Sequence, residues 1–321
     1  MSEMQIVYPP NRPMERVLLP SNVPMLYKHL YFLDINDDQN FILGSSNVVG
    51  AYWESTLFWY EDTNAALRND YCNYYISPTT TSDAIFIPKT TKIVLAEDTG
   101  HIRLLNQRQE EPLECVDFEN TNSLIEQLAV WNSEKILSCG ERYVTIWKLQ
   151  KDSIKVFHEY KDIHTDNVTS VTIKANEDSV FATSSMDGRA CLWDNRMEVP
   201  AIVLYQNEFS GLSSIGWNTK NNDLIAVGSV AGDVYNLDTR QFKEFVNSYH
   251  CFDGRIRRIR YNPSGYLAVC GDNTEVIVLK GDNFDIIAKN NGHSEYVRDL
   301  AWFKDTLFSC GFDKKVTKYS Y

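Results

Sequence analysis

His164-Thr-Asp-Asn-Val-Thr-Ser-Val171 leads through a β-rich stretch to Ser185-Met-Asp-Gly-Arg-Ala-Cys-Leu-Trp-Asp194. The Asp187-Gly188 pair suits a tight hairpin turn, because both residues tolerate positive φ. Before it the sequence reads as two strands, and after it as a third ending on a large residue. Val168–Ile173 alternates as a half-buried first strand should. The same layout returns at the end of the chain. It opens there at Gly292-His293 and closes with Gly311-Phe-Asp313-Lys-Lys-Val-Thr-Lys-Tyr319. A unit of about forty residues therefore repeats.

Aligning on the large residue of the third strand gives Trp59, Leu105, Trp147, Trp193, Leu237, Leu279 and Tyr319. Successive positions lie 46, 42, 46, 44, 42 and 40 residues apart. Six are preceded by a recognisable turn: Asp98-Thr-Gly100, Glu141-Arg142, Asp187-Gly188, Ala231-Gly232, Asp272-Asn273 and Asp313-Lys314. Ile93–Ala96, Leu224–Val227 and Leu267–Cys270 read as buried second strands. Seven such units predict an all-β, seven-bladed WD-repeat β-propeller. The expected domains are a Pro-rich extension over 1–24 (Pro9, Pro10, Pro13, Pro20, Pro24) and a propeller over 25–321. Proline donates no ladder bond, so the extension reads as extended chain rather than sheet. Tyr27–Leu33 reads as a strand before the first full blade and as a candidate for closing the ring. His164 with Asp187, and His293 with Asp313, are expected to brace their blades by hydrogen bonds. Trp193 is expected to pack between blades.

Composition narrows the function. A hydrophobic fraction of 43%, with 12% aromatic residues, suffices for a sizeable core. No apolar run reaches the roughly 18 residues that a membrane helix needs. Met1-Ser-Glu-Met-Gln lacks a basic stretch followed by an apolar one, so no secretory leader is expected. The seven cysteines include no C-x-x-C pair; Cys139 and Cys310 occupy matching strand positions and read as small buried residues in a reducing compartment. The net charge of −12 opposes general nucleic-acid binding and favours basic partners. The cluster Arg255-Ile-Arg257-Arg258-Ile-Arg260 runs against that charge. As a strand it puts arginines on both faces, for pairing with acids at a blade edge or for contact with phosphate or an acidic segment.

Catalytic signatures are missing: there is no G-x-S-x-G elbow, no phosphate loop and no H-E-x-x-H. Asp34-Ile-Asn-Asp-Asp38 starts like a calcium loop, but Gln39 replaces its glycine and Ser45 its bidentate glutamate. The chain is therefore read as having no catalytic residues, no metal site and no cofactor. One alternative class is a substrate receptor of a cullin-type ubiquitin ligase. Such propellers carry Trp-Asp-x-Arg after a third strand; Trp193-Asp194-Asn-Arg196 fits that pattern and Leu237-Asp238-Thr-Arg240 half fits. An aspartate and arginine so placed also pair locally to order their own turn.

The first blade is irregular. Ser45-Ser-Asn-Val-Val-Gly50-Ala-Tyr52-Trp53-Glu-Ser55 stands where other blades turn in two or three residues. With Trp59 in the core slot, Trp53 needs a place at a blade edge or in solvent. Exposed aromatic residues in a loop mark interaction sites.

Gly50-Ala-Tyr-Trp-Glu-Ser-Thr-Leu-Phe-Trp59, Asp178–Arg196 and His293-Ser-Glu-Tyr-Val-Arg-Asp-Leu-Ala-Trp302 resemble the methylosome WD-repeat subunit family (methylosome protein fifty, or Valois, family). The resemblance covers nearly the whole chain. It implies a non-catalytic scaffold bound to a type II protein arginine methyltransferase, which makes symmetric dimethylarginine, in a four-plus-four hetero-octamer. It implies presentation of Arg-rich substrates such as histones and Sm proteins, and a cytoplasmic and nuclear location. It further implies that the first blade docks on the enzyme's N-terminal barrel, with Trp53 as anchor and Tyr52, Val49 and Glu54 beside it. Leu105, Leu237, Leu279 and Tyr319 depart from the tryptophan that closes a typical blade.

Overall fold

A computed structural model of the chain describes residues 23–47, 53–107, 112–121, 123–162 and 164–321. Most of the Pro-rich extension, and both Val49 and Tyr52, lie outside the described residues. The rest forms seven antiparallel sheets arranged as a seven-bladed β-propeller. Blade one comprises β1 (His29–Ile35), β2 (Phe41–Asn47), β3 (Glu54–Tyr60) and β4 (Asn73–Ser77). Blade two is β5 (Thr81–Phe86), β6 (Lys92–Glu97), β7 (His101–Asn106) and β8 (Glu114–Asn120). Blade three is β9 (Gln127–Val130), β10 (Lys135–Gly140), β11 (Tyr143–Gln150) and β12 (Ser153–Lys161). Blade four is β13 (Val168–Ile173), β14 (Val180–Ser185), β15 (Arg189–Asp194) and β16 (Ile202–Gln206). Blade five is β17 (Leu212–Trp217), β18 (Leu224–Ser229), β19 (Asp233–Asp238) and β20 (Asn247–His250). Blade six is β21 (Ile256–Tyr261), β22 (Tyr266–Gly271), β23 (Val276–Lys280) and β24 (Ile286–Asn290). Blade seven is β25 (Val297–Phe303), β26 (Thr306–Gly311) and β27 (Val316–Ser320).

Two expectations about the strands are corrected. The Tyr27–Leu33 segment does not complete the last blade. It contributes β1, the innermost strand of blade one, and blade seven has three strands among the described residues. Nor is β13 half-exposed. Val168, Thr169, Ser170 and Val171 are all buried, because an innermost strand has a neighbouring blade on each face. Thr169 Oγ1 donates to the carbonyls of Ser184 and Leu212 at 3.1 and 2.9 Å.

Seven apolar clusters among the described residues fill the seven junctions between blades. In blades two to seven the aligned third-strand residue faces the preceding blade, and leucine or tyrosine serves as well as tryptophan. Burial of a large side chain, on the order of 2–3 kcal/mol each, does not depend on the indole. Blade one breaks this rule. Its equivalent position is Tyr60, packed towards blade seven with Phe41 and Phe308, while Trp59 turns the other way and meets Phe86 of blade two edge-on at 5.0 Å. The pairing shows the shift: Phe41 links Ile35 and Tyr60 as Phe181 links Ile173 and Trp193. One residue of offset reverses the face.

The hairpin turns follow the local chemistry. Gly188 and Gly232 hold φ of 80° and 91°. At Gly232 a Cβ would also come within 1.7 Å of the Phe252 carbonyl, so no other residue fits. The short helix α1 (Thr63–Arg68) was not expected. Asp62 caps it, accepting from the amides of Asn64 and Ala65 at 2.7 Å, and Ala65 and Ala66 pack into the junction of blades one and seven.

The ring is closed by side chains. On the first strands, each blade reaches the next through at least one polar side chain. Asp34 Oδ2 accepts from Phe86 N (2.9 Å), Asp83 Oδ2 from Leu128 N (3.0 Å), Gln127 Oε1 from Val171 N (3.2 Å) and Ser170 Oγ from Ile215 N (3.1 Å). Ser213 Oγ donates to Ile256 O (2.7 Å), Arg258 Nε to Asp299 Oδ1 (2.8 Å), and Asp299 Oδ2 accepts from Leu33 N (3.1 Å). The last of these links ties blade seven to blade one. Arg258 also spans the central channel to Asp83 at 3.3 Å, joining blades two, six and seven.

Burial pushes Asp34 up to about 7, against the Phe86 hydrogen bond and the field of Arg260. Its folded pKa exceeds the unfolded value of 3.8, so between about pH 4 and 7 the folded chain holds a proton that the unfolded chain has lost. Stability from this group therefore falls as pH rises through that window and is level above it. Asp34→Asn keeps the acceptor for Phe86. The variant is expected to gain on the order of 1 kcal/mol over wild type at pH 8 relative to pH 5, after discounting for the group's residual solvent access. Urea midpoints at the two pH values check this; parallel shifts in both proteins would refute it.

Candidate functional site

The connection between β2 and β3 runs over residues 48–53, shorter than the sequence suggests, because Ser45–Asn47 and Glu54–Ser55 join the ladder. Trp53 closes this connection. It is 55% exposed and borders the mouth of the central channel, on the end of the propeller where the first strands begin. Glu54 starts β3 and accepts a short hydrogen bond from the Tyr27 hydroxyl. Burial, followed by Glu54 itself, raises the Tyr27 pKa. The segment before β1 is pinned over the same end of blade one. Tyr27 N donates to Ser45 Oγ at 3.2 Å, Met25 N to Thr56 Oγ1 at 3.4 Å, and Ser45 Oγ to Met25 O at 3.3 Å. Val23 and Met25 are exposed there along with Trp53. The arrangement is an apolar surface on a fixed backbone, suited to docking rather than to covalent chemistry.

His164 Nδ1 lies 3.0 Å from Asp187 Oδ2 and its Nε2 2.9 Å from Thr183 Oγ1, which also accepts from Trp193 Nε1 at 2.8 Å. In blade seven, His293 Nδ1 lies 2.9 Å from Asp313 Oδ1 and Nε2 2.7 Å from Ser309 Oγ, with the Tyr319 hydroxyl 3.4 Å away in place of an indole. Burial alone would raise the Asp187 pKa, but hydrogen bonds from His164 and Arg189 hold it well below the usual carboxylate range. Asp313 is lowered in the same way by His293. These depressed carboxylates add stability above about pH 4 that is lost as pH falls. Asp187→Ala would strand His164, the Thr165 amide and Arg189. A loss of about 2–4 kcal/mol is expected, read as a lower urea midpoint; a shift within error would refute the brace.

Arg196 folds onto Asp194, and Arg240 onto Asp238 and Asp223, so the Trp-Asp-x-Arg segments order their own turns. In the Asp34–Asp38 stretch, Asn36 Oδ1 accepts from the amides of Asp38 and Asn40, forming a hairpin turn. Among the described residues no three His, Cys, Asp or Glu side chains converge as metal ligands. No described helix is long and apolar enough to cross a membrane. Cys139 and Cys310 are buried, whereas Cys72 is exposed.

The arginine cluster is not at an outer blade edge. It lies on β21, which lines the channel. Arg255, Arg257 and Arg258, together with Arg298 of β25, line the same mouth that Trp53 borders. Sequence reasoning did not find this convergence, nor the belt of Asp34, Asp83, Gln127, Ser170, Ser213 and Asp299. A polar residue on each first strand was the available signal.

Fold and surface together define a WD-repeat propeller scaffold. A WD domain, G-beta repeat model matches residues 154–194. The chain is 23% identical over 293 residues to Methylosome protein WDR77 of Xenopus laevis, covering 87% of this chain and 85% of that protein. It thus resembles the methylosome WD-repeat subunit along most of its length. It is also 24% identical over 199 residues to Protein transport protein SEC31 of Chaetomium globosum, covering 59% of this chain and 14% of that protein. Among solved structures, a chain of the COPII outer coat vertex on membranes superposes with a TM-score of 0.76 at 13% identity, over 91% of this chain and 83% of that one. That likeness concerns the fold alone.

Proposed function

We propose that this chain is the non-catalytic WD-repeat subunit of a type II protein arginine methyltransferase complex, working in cytoplasm and nucleus. The observation that carries the proposal is Trp53, left half-exposed at the end of blade one, in a chain similar to a methylosome protein over 87% of its length. Trp53 fills an apolar pocket on the enzyme, and Glu54, Tyr52 and Val49 flank it, in a four-plus-four assembly. The acidic propeller then raises the local concentration of Arg-rich substrates such as histone tails and Sm proteins; tethering of this kind accelerates modification without new chemistry. The test is affinity purification of the tagged chain from its own cells, with mass spectrometry and a symmetric-dimethylarginine assay on the eluate. A methyltransferase with that activity in the eluate supports the proposal. A ubiquitin-ligase adaptor without any methyltransferase would replace it with the receptor reading.

A further inference from the structure

Four arginines converge on the mouth of the central channel. Arg255, Arg257 and Arg258 come from the start of β21 and Arg298 from β25, and they line a cavity of about 360 Å³. Two are matched. Arg258 is held between Asp83 and Asp299, and Arg257 donates to both oxygens of Asp272 at 2.8 and 2.9 Å. The other two are not. Arg298 reaches Asp272 only at 4.0 Å, and its guanidinium rests over the rings of Tyr31 and Phe312 at 5.5 and 5.1 Å. Arg255 makes no ion pair with a described residue; Glu126 and Asp272 act on it only through their fields. The Nε atoms of both are buried with no hydrogen-bond partner among the described residues. So is Thr81 Oγ1, in the same wall. The acids that share the wall are Glu126 and Asp98; Asp98 accepts from Thr80 through Oδ2, while its Oδ1 is buried with no hydrogen-bond partner among the described residues.

Residues that line one cavity thus carry three unanswered buried donors, two of them on permanently charged groups, and one unanswered carboxylate oxygen, Asp98 Oδ1. Each unsatisfied donor costs roughly 1–3 kcal/mol, and a guanidinium cannot shed its proton to escape that cost. Burial, and then the neighbouring charge of Arg257, lowers the pKa of both arginines, which is the mark of cations short of a counter-ion. No described acid pairs with Arg255, and an anion from outside supplies that contact.

We propose that this mouth is a binding site for the phosphate of a phosphoserine or phosphothreonine side chain on a peptide. A dianion neutralises two guanidiniums where a carboxylate neutralises one. The planar forks of Arg255 and Arg298 suit bidentate contact with phosphate oxygens, and Thr81 supplies a further donor. A nucleic acid fits less well, because its continuous charge would meet a protein of net charge −12 around the pit. A single phosphate on a neutral or basic peptide avoids that repulsion. Trp53 borders the same mouth, but the phosphate contacts draw on none of the residues assigned to the methyltransferase, so loss of that partner would leave them standing.

The test uses the full chain and a fluorescent glycine–serine peptide with one central phosphoserine, its serine and glutamate forms, and an oligonucleotide of the same length. Polarisation is expected to show saturable binding of the phosphopeptide alone within about 1 mM, weakening with added salt. The Arg255→Gln/Arg298→Gln variant is expected to bind at least about 30-fold more weakly. Free of ligand, that variant should melt no lower than wild type, since it removes two unmatched buried charges; phosphopeptide should raise the melting temperature of wild type only. Arg196→Gln, an exposed arginine elsewhere, should bind as wild type does. The proposal is overturned by absent phosphopeptide binding, by equal binding of the glutamate peptide, by undiminished binding in the double variant, or by tighter binding of the oligonucleotide.

Discussion

Arg258→Met is expected to cost about 3–5 kcal/mol of folding stability. The reason is what remains behind. Asp83 and Asp299 are 1% and 0% exposed, and Arg258 is the cation that contacts both across the channel. Burial opposes the charge on Arg258, but Asp299 and Asp83 more than reverse this and hold its pKa up. Without the guanidinium, two carboxylates face each other with only amide donors: Leu128 and Ala84 for one, Leu33 and Leu300 for the other. Urea unfolding at neutral pH gives the magnitude.

A pH series gives the cause. Burial already raises the Asp83 pKa, and Arg258 is the chief opposing influence. In the methionine variant that opposition is gone. The folded pKa then rises further above the unfolded value, and stability is lost as pH increases and regained on acidification towards pH 5. Adding Asp83→Asn and Asp299→Asn should recover much of the loss, because uncharged side chains leave no unpaired charge buried. A single variant within about 1 kcal/mol of wild type would show that the channel clamp is dispensable.

The second large effect concerns partner binding. Trp53→Ala is expected to weaken association with the proposed methyltransferase partner by about 2–4 kcal/mol, roughly 30- to 1,000-fold, while leaving the unfolding midpoint unchanged. The contrast follows from position. Trp53 is 55% exposed at the end of a connection, whereas Trp59, six residues on, is 2% exposed in the junction of blades one and two. Trp59→Ala should therefore do the reverse through cavity formation, with a stability loss of about 3–5 kcal/mol. Calorimetric titration of the purified enzyme with each folded variant separates the two. Normal affinity in Trp53→Ala would move the anchor elsewhere on blade one.

The sequence carried the number of the blades and the turns of most of them, because both are local properties. Asp187-Gly188 and Ala231-Gly232 turn wherever they stand, since their φ values are set by the residues themselves. Strands such as β13 and β22 follow from short β-prone runs between those turns. His164 and Asp187 could be paired on paper because they lie 23 residues apart within a single blade, much as His293 and Asp313 lie 20 apart.

Tertiary structure decided what depends on residues brought together from different blades. The face taken by Trp59 and Tyr60 turned on one residue of register, which a list of large side chains does not fix. Thr169 and Ser170 look like outward polar positions, yet the next blade buries them. Arg258 meets Asp83 from 175 positions earlier in the chain only because a ring of seven blades closes around a channel. The same closure leaves Arg255 and Arg298 facing a shared cavity. Repetition writes each blade into the sequence; the long-range electrostatics of the channel exist only once the ring has formed.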